Sequence, residues 1–274
     1  MDIIDAVASV LREVSHEVVE PRFASMTDGD SWEKSPGEIV TEADLLTEKA
    51  IATRLNALLP GVPVIGEEAV DLDPHLLSAL RAPRSWLVDP IDGTANFAAR
   101  SPDWAMMISL QEDGMTVLSW IWQPMTPAMY VAELGSGATR NERALRLNDR
   151  PDSSLRGVVY VRYLDEAKRV AVNERAQALD CEVLPGHGSA GVEYPLVVTG
   201  EQDFVVVWRT LPWDHAPGGL LVSEAGGKVA RPNGGPYELD DGRFGLVAAV
   251  NESTWSAAAS LLGPESSEAV NPPR

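Results

Sequence analysis

A short apolar run, Trp86-Leu87-Val88, leads without a spacer into Asp89-Pro90-Ile91-Asp92-Gly93-Thr94. The same arrangement recurs at Ile65-Gly66-Glu67-Glu68 and at Trp213-Asp214, where carboxylates again follow an apolar stretch. Acids placed just past strand-like runs collect at sheet ends, where loops gather and ligands bind. Asp89 and Asp92 are three residues apart, and Pro90 fixes one backbone dihedral between them. A tight turn there can aim both side chains and the Ile91 carbonyl at one point. Gly93 permits close approach of the backbone, and its N–H and that of Thr94 can face an anion.

If Glu67, Asp89, Asp92 and Asp214 converge, they cannot remain a bare cluster. Carboxylates ~4 Å apart repel by ~4 kcal/mol per pair at an effective dielectric of 20, so they require cations or protons. All-oxygen donors without Cys or His select Mg2+, Mn2+ or Ca2+ over zinc. A pair of such ions suits phosphoryl chemistry, with a water on one side and the departing oxygen on the other. Each string alone has an ordinary explanation. Asp-Pro-x-Asp-Gly is usually a solvated turn, and Gly-Glu-Glu is usually surface charge. Thr41-Glu42-Ala43-Asp44 also reads as a helix capping box.

Composition removes other classes. The 274 residues carry 22 Lys+Arg against 41 Asp+Glu, a formal net charge of −19. That field opposes non-specific contact with nucleic acid or an anionic membrane. The single Cys181 excludes a disulfide framework and a multi-cysteine zinc site, and the four histidines lack paired ligand spacing. No apolar run reaches the ~20 residues of a membrane helix, and the acid-rich first 20 residues do not read as a secretory segment. The expectation is a soluble, cytoplasmic protein without a membrane or nucleic-acid partner.

Periodicity gives the coarse organisation. Ile3 to Val18 have helical spacing, with Pro21 as the expected stop, and 27–38 read as an exposed loop. A helix over 41–59 precedes strands at 62–65 and 86–88, and a meander of three strands (104–111, 115–123, 128–134) implies an antiparallel sheet. Beyond Asp149-Arg150-Pro151-Asp152 strands and helices alternate: strands at 157–161, 182–184, 204–208 and 246–250, helices at 165–179, 189–199, 214–225 and 252–262. Such alternation predicts an α/β half with partly parallel strands. The tail from Gly263 reads as frayed. Helices packed on two sheets are expected, with an N-terminal unit at 1–150 bearing most of the acids and a C-terminal unit at 151–274 contributing Asp214.

Four strings together resemble the inositol monophosphatase family of Mg2+-dependent, lithium-sensitive phosphatases. They are Ile39-Val40-Thr41-Glu42-Ala43-Asp44, Ile65-Gly66-Glu67-Glu68, Trp86 through Phe97, and Trp213-Asp214-His215-Ala216 followed by Glu224-Ala225-Gly226-Gly227. The resemblance implies a five-layer α-β-α-β-α sandwich, with an antiparallel N-terminal sheet and a smaller mixed C-terminal sheet. It also implies a homodimer and hydrolysis of a small phosphorylated metabolite. By the same resemblance Glu67, Asp89 and the Ile91 carbonyl are ligands of one metal, and Asp89, Asp92 and Asp214 of a second. A weaker third ion lies near Glu67 in the family, and Mn2+ is a substitute for Mg2+. Asp44 and Thr94 match the pair that orients the attacking water, with Glu67 beside them, and the Gly93 and Thr94 amides match the phosphate-binding turn. Lys34 falls one residue off the spacing of a lysine in the family's mobile loop, and reads equally as plain surface charge.

One position departs from the pattern. Family members acting on inositol carry a Glu seven residues before the Asp of Trp-Asp, and here that position is Val207. An apolar group there leaves polyol hydroxyls unpaired. Glu193 and Arg209 are therefore the candidates for reading a different alcohol, Arg209 through a second anionic group. The expected substrate is a sugar- or polyol-like phosphate, with histidinol phosphate or a nucleotide 3′-phosphate as alternatives. A non-catalytic, protein-binding role is the alternative of another class.

Overall fold

The computed structural model describes residues 2–27, 29–35, 37–147, 154–239 and 242–263. Its first sheet has, in spatial order, β3 (Val64–Gly66), β4 (Arg84–Asp92), β5 (Ala105–Glu112), β6 (Met115–Gln123), β7 (Ala128–Glu133), β8 (Gly137–Arg140) and β9 (Arg143–Leu145). Neighbours are antiparallel from β4 to β9, as the meander predicts, but β3 runs parallel to β4. A crossover explains the exception: α4 (Glu67–Leu72) and a 3-10 turn (Pro74–Arg81) lie between the two strands.

The period-2 pattern of these strands sorts the core. Met106, Ile108 and Leu110 of β5 pack with Trp86, Val88 and Trp120 against α1 (Ile3–Val14) and α3 (Glu42–Leu58), through Val7, Leu11, Ile51 and Leu55. Ala105 and Met107 face the other way with Ile121 and Tyr130, onto α7 (Ala190–Thr199) and α8 (Pro212–Glu224). Fully burying each of these large side chains contributes roughly 1.5–3 kcal/mol.

The second sheet is smaller and mixed, ordered β11 (Glu182–Val183), β10 (Arg156–Tyr160), β12 (Phe204–Val207), β14 (Leu246–Ala249), β13 (Lys228–Ala230). Its β10, β11 and β12 are parallel, whereas β14 is antiparallel to β12 and β13. Val205 and Val207 face α7 and α8, while Phe204 and Val206 face α6 (Glu166–Ala178) and α9 (Glu252–Leu262). The layers therefore run α1/α3, seven strands, α7/α8, five strands, α6/α9, the five-layer α-β-α-β-α sandwich.

Two local expectations fail for physical reasons. The first helix does not stop at Pro21: a wide π turn at Ser15–Val19 is followed by α2 (Glu20–Ser25). Pro21 thus sits in the first turn of α2, where its missing N–H costs nothing. Residues 27–38 are not simply an exposed loop, because β1 (Ser31–Ser35) and β2 (Glu38–Thr41) pair as an antiparallel hairpin. Long-range contacts of this hairpin, described below, supply what its polar composition lacks. The junction at Asp149-Arg150-Pro151-Asp152 and the chain after Gly263 lie outside the described residues.

Candidate active site

The acids reach one cavity of about 270 Å³ by different local devices. In a regular strand Asp89 and Asp92, at i and i+3, would point to opposite faces. The β4–β5 register instead places Asp89 opposite Met107 and Asp92 opposite Ala105, so two residues, Pro90 and Ile91, oppose Met106 alone. This bulge occurs where Pro90 could not donate to the ladder, and it turns both carboxylates to the same cavity. Glu67 opens α4, and Asp214 lies in the first turn of α8 behind Pro212. Carboxylates at helix starts are favoured by the unpaired N–H groups there, by ~0.3–1 kcal/mol each.

Oxygen atoms of Glu67, Asp89 and Asp214 all lie within 4.8 Å of one another. Asp89 is 1% exposed, and its Oδ1 is buried without a hydrogen-bond partner. Burial, followed by the charges of Glu67, Asp92 and Asp214, raises its proton affinity well above the ordinary carboxylate range. Asp92 is also pushed up, to about 6, chiefly by burial. Its Oδ2 accepts from the Ser189 hydroxyl at 2.5 Å and the Gly191 amide at 2.6 Å, at the start of α7.

Asp44 is 1% exposed and does two things. One oxygen closes the expected capping box, accepting from the Thr41 amide at 2.9 Å and hydroxyl at 2.5 Å. The other accepts from the Thr94 hydroxyl at 3.0 Å, and that hydroxyl is equally close to the Ile91 carbonyl. Burial lifts Asp44 to about 6. Gly93, at φ 88°, is left-handed and begins the short helix α5 (Thr94–Ala98).

Sequence reasoning missed a supporting layer. Glu48 of α3 accepts from the Glu68 and Ala69 amides at 2.8 and 3.0 Å, fixing the start of α4 and thus Glu67. Its signal was hidden because the contact requires Gly66, where a Cβ would overlap the Glu48 carboxylate. Lys34 is no plain surface charge. From the hairpin its ammonium reaches Glu67 at 3.0 Å, Glu68 at 2.8 Å and Asp71 at 2.6 Å. Those three acids form a second close group around it.

The other end of the cavity is built by the parallel strands β10 and β12. Tyr160 and Val207 are ladder partners, and Arg162, Tyr163, Trp208 and Arg209 follow them at the same edge. Val207 is 6% exposed and lines the cavity. Glu193 also lines it, but its carboxylate is committed to protein donors: the Tyr160 hydroxyl at 2.7 Å, the His187 amide at 2.6 Å and the Gln202 side chain at 2.9 Å. It holds the 187–189 backbone, since Gly188 in turn donates to the Tyr160 oxygen at 2.8 Å. Arg209 pairs with Glu38 of the hairpin, and its guanidinium lies 4.5 Å from the Tyr163 ring centre. His215, beside Asp214, is buried and held down to about 3, hence neutral. Its Nε2 donates to the Arg209 carbonyl at 3.0 Å, which leaves Nδ1 to accept from the Tyr194 hydroxyl at 3.1 Å.

The donor set suits a hard divalent cation. The grouped oxygens and the orphaned Asp89 Oδ1 form an anionic cradle centred on buried Asp89, whose charge the Lys34 ammonium meets only at Glu67.

Comparison with known proteins agrees. The family model "Inositol monophosphatase family" matches residues 2–269. The chain is 30% identical over 233 residues to the fructose-1,6-bisphosphatase/inositol-1-monophosphatase of Thermotoga maritima, covering 84% of each protein. It is 30% identical over 239 residues to the Nus factor SuhB of Pasteurella multocida, covering 85% of each. The solved structure of a Thermotoga maritima IMPase superposes with a TM-score of 0.77 at 23% identity, over 96% of this chain and 98% of that one. A matching model over nearly the whole chain, the same layered fold and these converging acids leave one assignment: the chain belongs to the inositol monophosphatase family, a family of phosphatases.

Proposed function

We propose that this chain is a Mg2+-dependent phosphomonoesterase acting on a small phosphorylated metabolite. The observation that carries the reading is the fully buried Asp89, which has one oxygen without a partner and has carboxylate oxygens of Glu67 and Asp214 within 4.8 Å of its own. Glu67, Asp89 and the Ile91 carbonyl would hold one cation, and Asp89, Asp92 and Asp214 a second. Mn2+ is a substitute, and a third cation near Glu67 would have to displace the Lys34 ammonium. When bound, these ions supply charge neutralisation and Lewis-acid polarisation of water and phosphate.

The chain's own residues do the rest. The Thr94 hydroxyl and the Asp44 oxygen it bonds form an aligned proton path beside Glu67, positioned to orient a water and take its proton. The Gly93 and Thr94 amides meet phosphate oxygens. Oδ2 of Asp92 is tied to α7, so this carboxylate arrives already oriented. Arg209, Tyr163, Val207 and the Glu193-held 187–189 backbone shape the alcohol's place.

We further read the protein as a cytoplasmic homodimer without nucleic-acid or membrane partners, and as lithium-sensitive. Among the described residues no helix is long and apolar enough to cross a membrane. The decisive experiment is phosphate release from a panel of phosphate monoesters, histidinol phosphate and a nucleotide 3′-phosphate included, with Mg2+ and with EDTA. Release only with Mg2+, lost in Asp89→Asn and Asp214→Asn, is expected. Near wild-type release from both variants would overturn the reading. A second reading, a regulatory protein-binding role, draws on the Nus factor relative. Its mark would be a partner recovered equally by wild type and Asp89→Asn.

A further inference from the structure

The cavity wall opposite the acids has an unusual donor balance. Two parallel strands end there and deliver Tyr160, Arg162 and Tyr163 from one side, Val207 and Arg209 from the other. The acceptors on this wall are already committed. Glu193 takes three protein donors, and the Tyr160 hydroxyl gives its proton to Glu193 while accepting from Gly188. Glu38 is engaged by Arg209 and by the Ser35 hydroxyl. A neutral polyol therefore meets an apolar Val207 where its hydroxyls need acceptors.

The unspent capacity is cationic. Each guanidinium has five N–H donors. Arg162 gives one to the Gly37 carbonyl at 3.0 Å and has no carboxylate partner among the described residues. Among the described residues the Arg209 guanidinium has Glu38 as its carboxylate partner. Both lie against the same ring, 5.4 and 4.5 Å from the Tyr163 centre, and both line the cavity. Two guanidiniums beside one ring of the cavity wall, in a chain of net charge −19, offer donors suited to an anionic oxygen group.

We propose that the phosphate ester hydrolysed here carries a second anionic group on its alcohol portion, a carboxylate or another phosphate, held by Arg209 and Arg162 beside Tyr163. This rests on the phosphatase reading above. Glu38 is the internal anion that occupies Arg209 until such a group arrives, and sharing Arg209 with the ligand ties the β1–β2 hairpin to the bound alcohol.

The test uses matched esters that differ in the second anion: glycerol 3-phosphate against 3-phosphoglycerate, and fructose 1-phosphate against fructose 1,6-bisphosphate. Phosphate release with Mg2+ is expected to favour the anionic member of at least one pair by tenfold or more in kcat/KM. The pair that responds tells carboxylate from phosphate. In Arg209→Ala and Arg162→Ala that selectivity should shrink about ten- to hundredfold, the size of a lost charge-assisted hydrogen bond, with the loss seated in KM. Arg162 is exposed, so its variant answers even if Arg209→Ala folds poorly. A wild-type preference near one in both pairs, or selectivity untouched in both folded variants, overturns the inference alone. Release from none of these four but from histidinol phosphate overturns the inference alone, whereas release from no ester of the wider panel overturns the phosphatase reading and this inference with it.

Discussion

Replacing Asp89 by Asn should stabilise the metal-free protein while crippling its activity. Asp89 is 1% exposed, and its neighbours Glu67 and Asp214 have oxygens within 4.8 Å. At that separation and an effective dielectric of 20, each ionised pair repels by ~3.5 kcal/mol. The folded chain can escape by binding a proton. That escape costs more as pH rises above the ordinary value of 3.8, by at most about 1.4 kcal/mol per pH unit. Asn has nearly the same shape, needs no proton, and can donate to the remaining carboxylates. The metal-free variant should therefore gain roughly 2–5 kcal/mol, a rise of about 5–15 °C in Tm for a chain of this size. The sign of the pH dependence follows. Because folding raises the Asp89 proton affinity, wild type loses stability relative to the variant as pH climbs from 3.8 toward the folded-state value. The gap should close near pH 4 and widen by up to about 1.4 kcal/mol per unit above it. Thermal unfolding in EDTA across pH 4.5–8 measures this, and saturating Mg2+ should reverse the order, since wild type binds the ion better. A variant less stable than wild type in EDTA at pH 7.5, or a gap that ignores pH, would refute the reasoning.

Other perturbations separate the supporting contacts. Lys34→Gln leaves Glu67, Glu68 and Asp71 without their shared ammonium and should cost about 3 kcal/mol in EDTA, less with Mg2+ present, as read by paired melting curves. Gly66→Ala forces a methyl into the Glu48 carboxylate and should cost ~1–3 kcal/mol in urea unfolding, with turnover falling as Glu67 shifts. Glu193→Ala strands the His187 amide and the Tyr160 hydroxyl, so amide exchange at 187–189 should accelerate, while Glu193→Gln should retain most protection.

Strands with plain alternation, such as β5 and β6, were readable because each side chain has a single layer to face. The acids were readable because strand-then-carboxylate is a local pattern. What escaped reading was contact at long range: Glu48 reaching Glu68 across 20 residues, and the hairpin, whose polar residues find partners 33 to 171 positions away. Local propensity predicts a loop there, and tertiary ion pairs override it. The helix around Pro21 failed similarly, because a widened turn relocated the proline to a tolerant position. The meeting of Arg162 and Arg209 at one cavity wall depends on two strands ending side by side, which no short motif records.

Helices α7 and α8 have consequences for how this chain comes off the ribosome. Both are apolar on most sides because each touches two sheets, and Gly218 lets α8 lie directly against Tyr194 of α7. Until they are synthesised, the face of the first sheet that carries Met107, Ile121 and Tyr130 has nothing over it. A fragment ending at residue 147 would display that face to water and should self-associate, even with every strand of its sheet present. The first half of the molecule thus waits, sticky and half-clad, for the second.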